Sequence, residues 1–262
     1  MKRRKFLASA AAAGSLASAG FTNAYPHTGE ERQYIEWIRY SLFTGSRKSI
    51  VQEYYRDAAI PALNRLGISP VGVFTVVHGP NEPSLYVLIP HKNADSLFNY
   101  RSRLEKDSEY RERGAAYLEA TFDNPAYRRV ESTLMLAFSH MPQVEAPSGL
   151  VGSDHIVQVR IYESHNYRFG QKKIEMFNEG GEIAIFRKTG LSPVFFGETI
   201  AGPLMPNLTY MLAFENIETM RRNWRTFGEH PDWKKLSADP QYKDTVSNIT
   251  DYILRPLPFS QI

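Results

Sequence analysis

Cysteine is absent from all 262 residues. That removes disulfides, thiolate metal sites, covalently attached haem, a thiol nucleophile and a lipidated cysteine in one step. A large excess of one charge is also missing, since 31 Lys and Arg stand against 28 Asp and Glu, a formal net charge of +3. Four of the positive charges are Lys2, Arg3, Arg4 and Lys5, and no acidic residue precedes Tyr25. Without that segment the balance is 3 − 4 = −1, so charge gives no argument for nucleic acid or an anionic membrane surface. No run reaches the roughly 20 apolar residues of a membrane-spanning helix. The seven histidines include no pair spaced i, i+4 as a helical metal site requires. Ser153-Asp154-His155 has the letters of a catalytic triad but no nucleophile elbow. Gly180-Gly181 reads as a helix break rather than a phosphate loop, and Arg101/Arg103 and Arg221-Arg222 read as solvated helix faces. Neither a metal nor a cofactor is expected.

What is present begins with Met1-Lys2-Arg3-Arg4-Lys5-Phe6-Leu7, an Ala/Ser-rich run to Ala19, and small residues at Thr22-Asn23-Ala24. A positive start, a short weakly apolar stretch and a small-residue cleavage site make residues 1–24 a twin-arginine-type signal peptide. The expectation is an exported protein, periplasmic or secreted, with no stable membrane span after cleavage.

The body of the chain repeats itself. Gly67-Ile68-Ser69-Pro70-Val71 returns as Gly190-Leu191-Ser192-Pro193-Val194, a spacing of 190 − 67 = 123 that also carries Gly79-Pro80 onto Gly202-Pro203 and Asn93 onto Asn216. Later the spacing falls to 240 − 125 = 115 between Asn124-Pro125-Ala126-Tyr127 and Asp239-Pro240-Gln241-Tyr242, so the first copy holds 123 − 115 = 8 extra residues. Two domains follow, 33–140 and 155–258, joined by a Pro-, Gly- and Ser-rich linker over 141–154.

Each copy reads strand, helix, two strands, helix, strand. Gly67 and Gly190 are expected as left-handed residues just past a helix, with Ser-Pro forbidding its continuation. Ser46, Asn93 and Asn216 are expected N-caps, and Pro61 and Gly180-Gly181 interrupt the first helix of each copy. This is the ferredoxin-like plan. Its sheet has helices on one face only, so the cheapest cover for the other face is the sibling copy. The expected fold class is α+β, two tandem ferredoxin-like domains forming an intrachain dimeric α/β-barrel.

Several residues of the second copy resemble the NIPSNAP family, within the dimeric α/β-barrel superfamily. They are Arg160-Ile161-Tyr162-Glu163, Gly170 at the opening of the helix, the Gly-Leu-Ser-Pro-Val approach, Gly202, and His230-Pro231-Asp232-Trp233. The resemblance covers about 155–257, and more weakly 33–140. It implies the barrel and little chemistry. The family is known mainly as a fold, and its wider superfamily includes cofactor-free monooxygenases, haem-binding oxidoreductases and isomerases.

With the 123 spacing applied to the first strands, Trp37 corresponds to Arg160 and Arg39 to Tyr162. Val157, Val159 and Ile161 then lie under helices, and Trp37, Arg39, Arg160 and Tyr162 line the barrel together. A buried arginine needs a partner, and Glu198 is the nearest candidate. Two readings stand: a structural Arg–Glu pair, or a pocket for a small anionic ligand bearing a carboxylate or enolate. His165, with His91 as its rival, could reach the barrel mouth. Function is accordingly either small-molecule binding or a scaffold, with homo-oligomers as a natural assembly, or alternatively a cofactor-free or haem-dependent oxidoreductase or monooxygenase acting in the barrel interior.

Overall fold

The computed structural model describes residues 31–45, 48–79, 83–150 and 154–262; the leader and the expected cap Ser46 lie outside them. The first copy contributes β1 (Tyr34–Ser41), α1 (Lys48–Glu53), α2 (Ile60–Arg65), β2 (Gly72–His78), β3 (Ser84–His91), α3 (Ala94–Leu104), α4 (Ser108–Leu118) and β4 (Arg129–Ala137). The second contributes β5 (Ile156–Glu163), α5 (Tyr167–Phe177), α6 (Glu182–Lys188), β6 (Ser192–Ala201), β7 (Asn207–Phe214), α7 (Ile217–Glu229), α8 (Pro231–Ser237) and β8 (Asn248–Pro256). All eight strands close into one antiparallel barrel in the order β1-β3-β2-β8-β5-β7-β6-β4. Each copy supplies a four-stranded sheet, and the copies are sewn together at β2–β8 and β4–β6.

The local signals act as the chemistry of their residues demands. Gly67 and Gly190 take φ of 74° and 78°, the left-handed conformation that a residue without Cβ adopts cheaply. The Asn93 and Asn216 side chains accept from the backbone N–H of Ser96 and Thr219. Helix α5 starts at Tyr167 under an Asn166 cap, so Gly170 lies within the helix rather than opening it. Pro61 does not break its helix. Between α1 and α2 the chain makes a π-helical turn over Tyr54–Ala59, in which the Ile60 N–H reaches the Tyr55 carbonyl. Proline has no N–H to donate and crowds the carbonyl four residues back, and a widened turn just before it accommodates both effects.

Three apolar clusters result. One fills the barrel, from Ile35, Trp37, Phe74, Tyr86, Leu88, Met135, Val157, Val159, Phe195 and Met211. Packing there is tight: a Cβ on Gly197 would stand 2.9 Å from Met135 Cβ. The connecting segment and the C-terminus join this core, with Val144 and Ile262 buried in it. The other two clusters lie outside the barrel, each between one four-stranded sheet and its own helices.

The first strands overturn one expectation. Tyr34 pairs with His91 and Ile156 with Phe214. Since 214 − 91 = 123 but 156 − 34 = 122, the spacing is one residue shorter in the first strands than after them. A one-residue slip moves every side chain of a strand to the opposite face. Val159, not Arg160, therefore occupies the place of Trp37, and Tyr162 matches Tyr40 rather than Arg39. Val157, Val159 and Ile161 point into the barrel, while Arg160 and Tyr162 turn outward beneath the helices.

Candidate functional site

The residues expected to meet in one place are dispersed. Trp37 is in the barrel, stacked on Tyr86 at 5.2 Å between ring centroids. Arg39 is paired, but with Glu131 directly opposite it on β4: Arg39 Nη2 donates to Glu131 Oε2 at 2.7 Å. Glu198 instead accepts from Gln171 Nε2 at 2.5 Å. Arg160 lies under the second helix layer, 5.2 Å from the Tyr162 ring and 4.9 Å from the Trp224 ring, with Asp251 at 3.8 Å. The Tyr162 hydroxyl accepts from Tyr210 at 2.9 Å. His165 is exposed against the Phe169 ring. The barrel side of the sheet thus holds Trp37 and Arg39 but neither Arg160 nor Tyr162, and its fill is apolar apart from the Arg39–Glu131 pair and the hydroxyls of Tyr86 and Tyr252.

An open volume lies elsewhere, between the first sheet and its helices. A cavity of about 330 Å³ is walled by seven of the fifteen tyrosines: Tyr40, Tyr54, Tyr55, Tyr100, Tyr110, Tyr117 and Tyr127. Tyr40 comes from β1, Tyr54 and Tyr55 from the π-helical turn, Tyr100 from α3, and Tyr110 and Tyr117 from α4. The rings of Tyr54 and Tyr117 stack at 3.9 Å and 13°. Tyr40 Oη lies 2.9 Å from Tyr55 Oη and 3.1 Å from Tyr117 Oη, and Tyr54 Oη lies 2.9 Å from Tyr110 Oη. Burial pushes all five phenols up, those of Tyr54, Tyr55 and Tyr117 far above the usual tyrosine range. They are therefore neutral at any physiological pH.

One corner of the cavity is polar. Arg101 lines it and donates from Nη2 to Glu36 Oε1 at 2.8 Å and from Nε to Tyr100 Oη at 2.9 Å. Tyr100 donates onward to Glu36 Oε2 at 2.7 Å, and Ser132 Oγ donates to Glu36 Oε1 at 3.0 Å. His91 Nε2, fully buried, stands 3.7 Å from Glu36 Oε2. Burial alone would raise the Glu36 carboxyl. The His91 imidazole, the Tyr100 hydroxyl, the Arg101 charge and the Ser132 hydroxyl together bring it below its ordinary value.

The second copy fills the same place. At the offsets fixed by the strand pairing, Gln158 replaces Glu36 and Trp224 replaces Arg101, and Trp224 Nε1 donates to Gln158 Oε1 at 2.6 Å. At the 123 spacing of the sequence, Phe177 aligns with Tyr54 and Trp233 with Tyr110. Phe186, Phe196 and Tyr210 pack among them. A buried ion pair, Lys173 Nζ to Glu182 Oε2 at 2.8 Å, completes the fill. Burial raises the Glu182 carboxyl, and the Lys173 ammonium offsets only part of that.

Neither histidine fits a haem in the open cavity. His91 and His165 are absent from its walls; His91 is engaged behind Glu36 with its Nδ1 at 3.3 Å from Ser96 Oγ. The cavity tyrosines and Glu36 were not among the expected site residues. The signal for them was available in the repeat, because tyrosines of the first copy stand against Phe177, Asn223 and Trp233 of the second.

The sequence profile of the NIPSNAP family matches twice, over residues 35–142 and 157–261. No curated protein matches the chain. Among solved structures, a monooxygenase-like protein from Fusobacterium nucleatum subsp. nucleatum superposes with a TM-score of 0.56 at 9% identity, covering 86% of this chain and 93% of its own. Another monooxygenase-like protein, from Lactobacillus acidophilus, gives 0.56 at 8% identity over 86% of this chain and 94% of its own. Both likenesses concern the fold alone. A NIPSNAP-like domain protein from Burkholderia xenovorans is 24% identical, with a TM-score of 0.36, over 41% of this chain and 89% of its own.

Proposed function

This chain belongs to the NIPSNAP family, as a tandem pair of its units, and we propose that it is a small-molecule binding protein in which the first copy holds a flat, uncharged ring compound and the second completes the barrel. The observation that carries this reading is the asymmetry between copies: a tyrosine-walled cavity of about 330 Å³ in one, an aromatic fill in the other. That volume falls within the ~300–1,000 Å³ typical of ligand pockets. Stacked and edge-on rings favour a flat guest. A neutral guest is favoured over the anion expected from Arg39 and Arg160, because Arg101 is already offset by Glu36 and the other carboxylate of the wall, Glu105, repels an anion. Arg39 and Arg160 face Glu131 and Asp251 outside the cavity.

Ligand-detected NMR with naphthalene as probe tests the reading. Saturable binding is expected, and Ala59→Phe, which thickens a buried cavity wall, should weaken it at least about tenfold. Unchanged binding in a folded Ala59→Phe protein would count against the site. A second reading, a cofactor-free oxidoreductase working in this cavity rather than in the barrel, is favoured by one feature: the buried Glu36 carboxylate reaches the wall through Tyr100. It requires oxygen uptake in the presence of a bound ring compound, lost in Glu36→Gln; no uptake at saturation would dismiss it.

A further inference from the structure

Two charged side chains stand at the rim of the tyrosine-walled cavity. Arg101 and Glu105 both line it and both reach solvent. They lie four residues apart at the C-terminal end of α3, a spacing that places their Cβ atoms about 5–6 Å apart on one helix face, where opposite charges commonly pair. Here they do not. Arg101 is drawn to the sheet, giving Nε to Tyr100 Oη and Nη2 to Glu36 Oε1, and among the described residues no side chain pairs with the Glu105 carboxylate. Arg101 Nη1 likewise makes no bond there. Both charges act on Tyr110: burial raises its phenol most, the Tyr54 hydroxyl lowers it, the Glu105 charge raises it and the Arg101 charge lowers it.

One end of the cavity therefore sets a free donor beside a free acceptor. A guanidinium can only donate and a carboxylate can only accept. The second copy has neither group. At the 123 spacing, Trp224 stands for Arg101 and Gly228 for Glu105, and the counterpart of the cavity is filled with aromatic side chains. The two charges and the open volume occur in the same copy.

Resting on the binding reading above, we infer that the cavity selects, among flat neutral rings, those in which one edge carries a carbonyl oxygen beside an N–H, the cyclic amides or lactams, with Arg101 reading the carbonyl and Glu105 the N–H. An amide edge supplies one acceptor and one donor side by side, in the order the rim requires. The corresponding cyclic ester keeps the carbonyl but replaces the N–H by an oxygen without a proton, which sets oxygen against oxygen at Glu105. A bare hydrocarbon serves neither group and displaces water from both. Because both side chains are partly in water, the selection expected is about tenfold, the lower end for a hydrogen bond to a charged group.

The test compares naphthalene, coumarin and quinolin-2(1H)-one by calorimetric titration, three two-ring compounds of similar shape that differ at this edge. The lactam should bind about tenfold tighter than the lactone. Glu105→Ala, at an exposed position, should bring that ratio close to one, whereas Glu112→Ala, which removes an exposed carboxylate that does not line the cavity, should keep it. Arg101→Leu should lower the affinity of coumarin relative to naphthalene severalfold. Equal binding of lactam and lactone, with naphthalene also bound, overturns the inference and leaves the cavity reading standing. Binding of none of the three overturns both. A lactam preference that survives in Glu105→Ala also defeats the inference, because the N–H would then be read elsewhere. So does tighter binding of N-methylquinolinium than of the lactam, since the rim would then be reading charge and not an amide edge.

Discussion

Glu36 and Gln158 occupy equivalent positions on equivalent strands, yet one is a charged hub and the other a neutral amide. Glu36 gathers Tyr100, Arg101 and Ser132, while Arg101 keeps 69% of its side chain exposed. The folded protein holds the Glu36 carboxyl below its ordinary value of 4.5, so the unfolded chain binds a proton more readily there. Its stabilisation is thus present above about pH 4.5 and is lost as pH falls through the lower folded value. Glu36→Gln, which copies the second half, should cost about 1.5–3 kcal/mol at neutral pH, the range for hydrogen bonds to a charged group. The gap in melting temperature between wild type and Glu36→Gln should narrow as pH is lowered below about 4.5. A gap that stays constant from pH 7 to pH 3 would show that the charge of Glu36 contributes nothing. Neither residue announced this in the sequence, because a buried hub is defined by partners 65 and 96 positions away.

Among the elements, those signalled locally were legible. The strand alternations, the Asn93 and Asn216 caps and the left-handed Gly67 and Gly190 each depend on a few neighbouring residues. Their chemistry is complete within one turn of chain. The inward face of β5 was misread because parity along a strand depends on a single residue of register, and the 123 spacing measured downstream does not hold in the first strands. The cavity was illegible for another reason: it depends on how far α4 and the π-helical turn stand from the sheet. Helix α4, at 11 residues against 7 for α8, carries Tyr117 beyond the point where α8 ends. The glycines that close the first helices give a test at this scale. An added Cβ at Gly67 meets nothing within 4 Å, whereas at Gly190 it meets Asn223 Nδ2 at 3.2 Å, and that same amide donates to the Gly190 carbonyl at 2.7 Å. Gly67→Ala should cost about 1–2 kcal/mol for the left-handed conformation alone. Gly190→Ala should cost measurably more in urea denaturation; equal losses would mean that Asn223 yields freely.

At the scale of the whole molecule, the duplication read from one repeated phrase is what closes the barrel. Neither four-stranded sheet is closed alone, since the outer edges of β2 and β4, whose other edges pair with β3 and β1, find partners only in β8 and β6 of the second copy. Unpaired strand edges drive association. A chain ending after residue 142 should accordingly be a dimer or larger by light scattering at micromolar concentration, and mixing it with a chain starting at residue 154 should restore a one-to-one pair. A stable, monomeric half would contradict this account of closure. Covalent fusion of the copies has one more consequence. In a barrel made from two identical chains, every substitution is imposed twice, so a change that opens a cavity opens two and the core suffers both losses. Here a change is imposed once. The Lys173–Glu182 and Phe177–Phe186 side can carry the mechanical burden of the barrel, and the tyrosine side is released to hollow out a pocket that a symmetric assembly could obtain only by hollowing both of its halves.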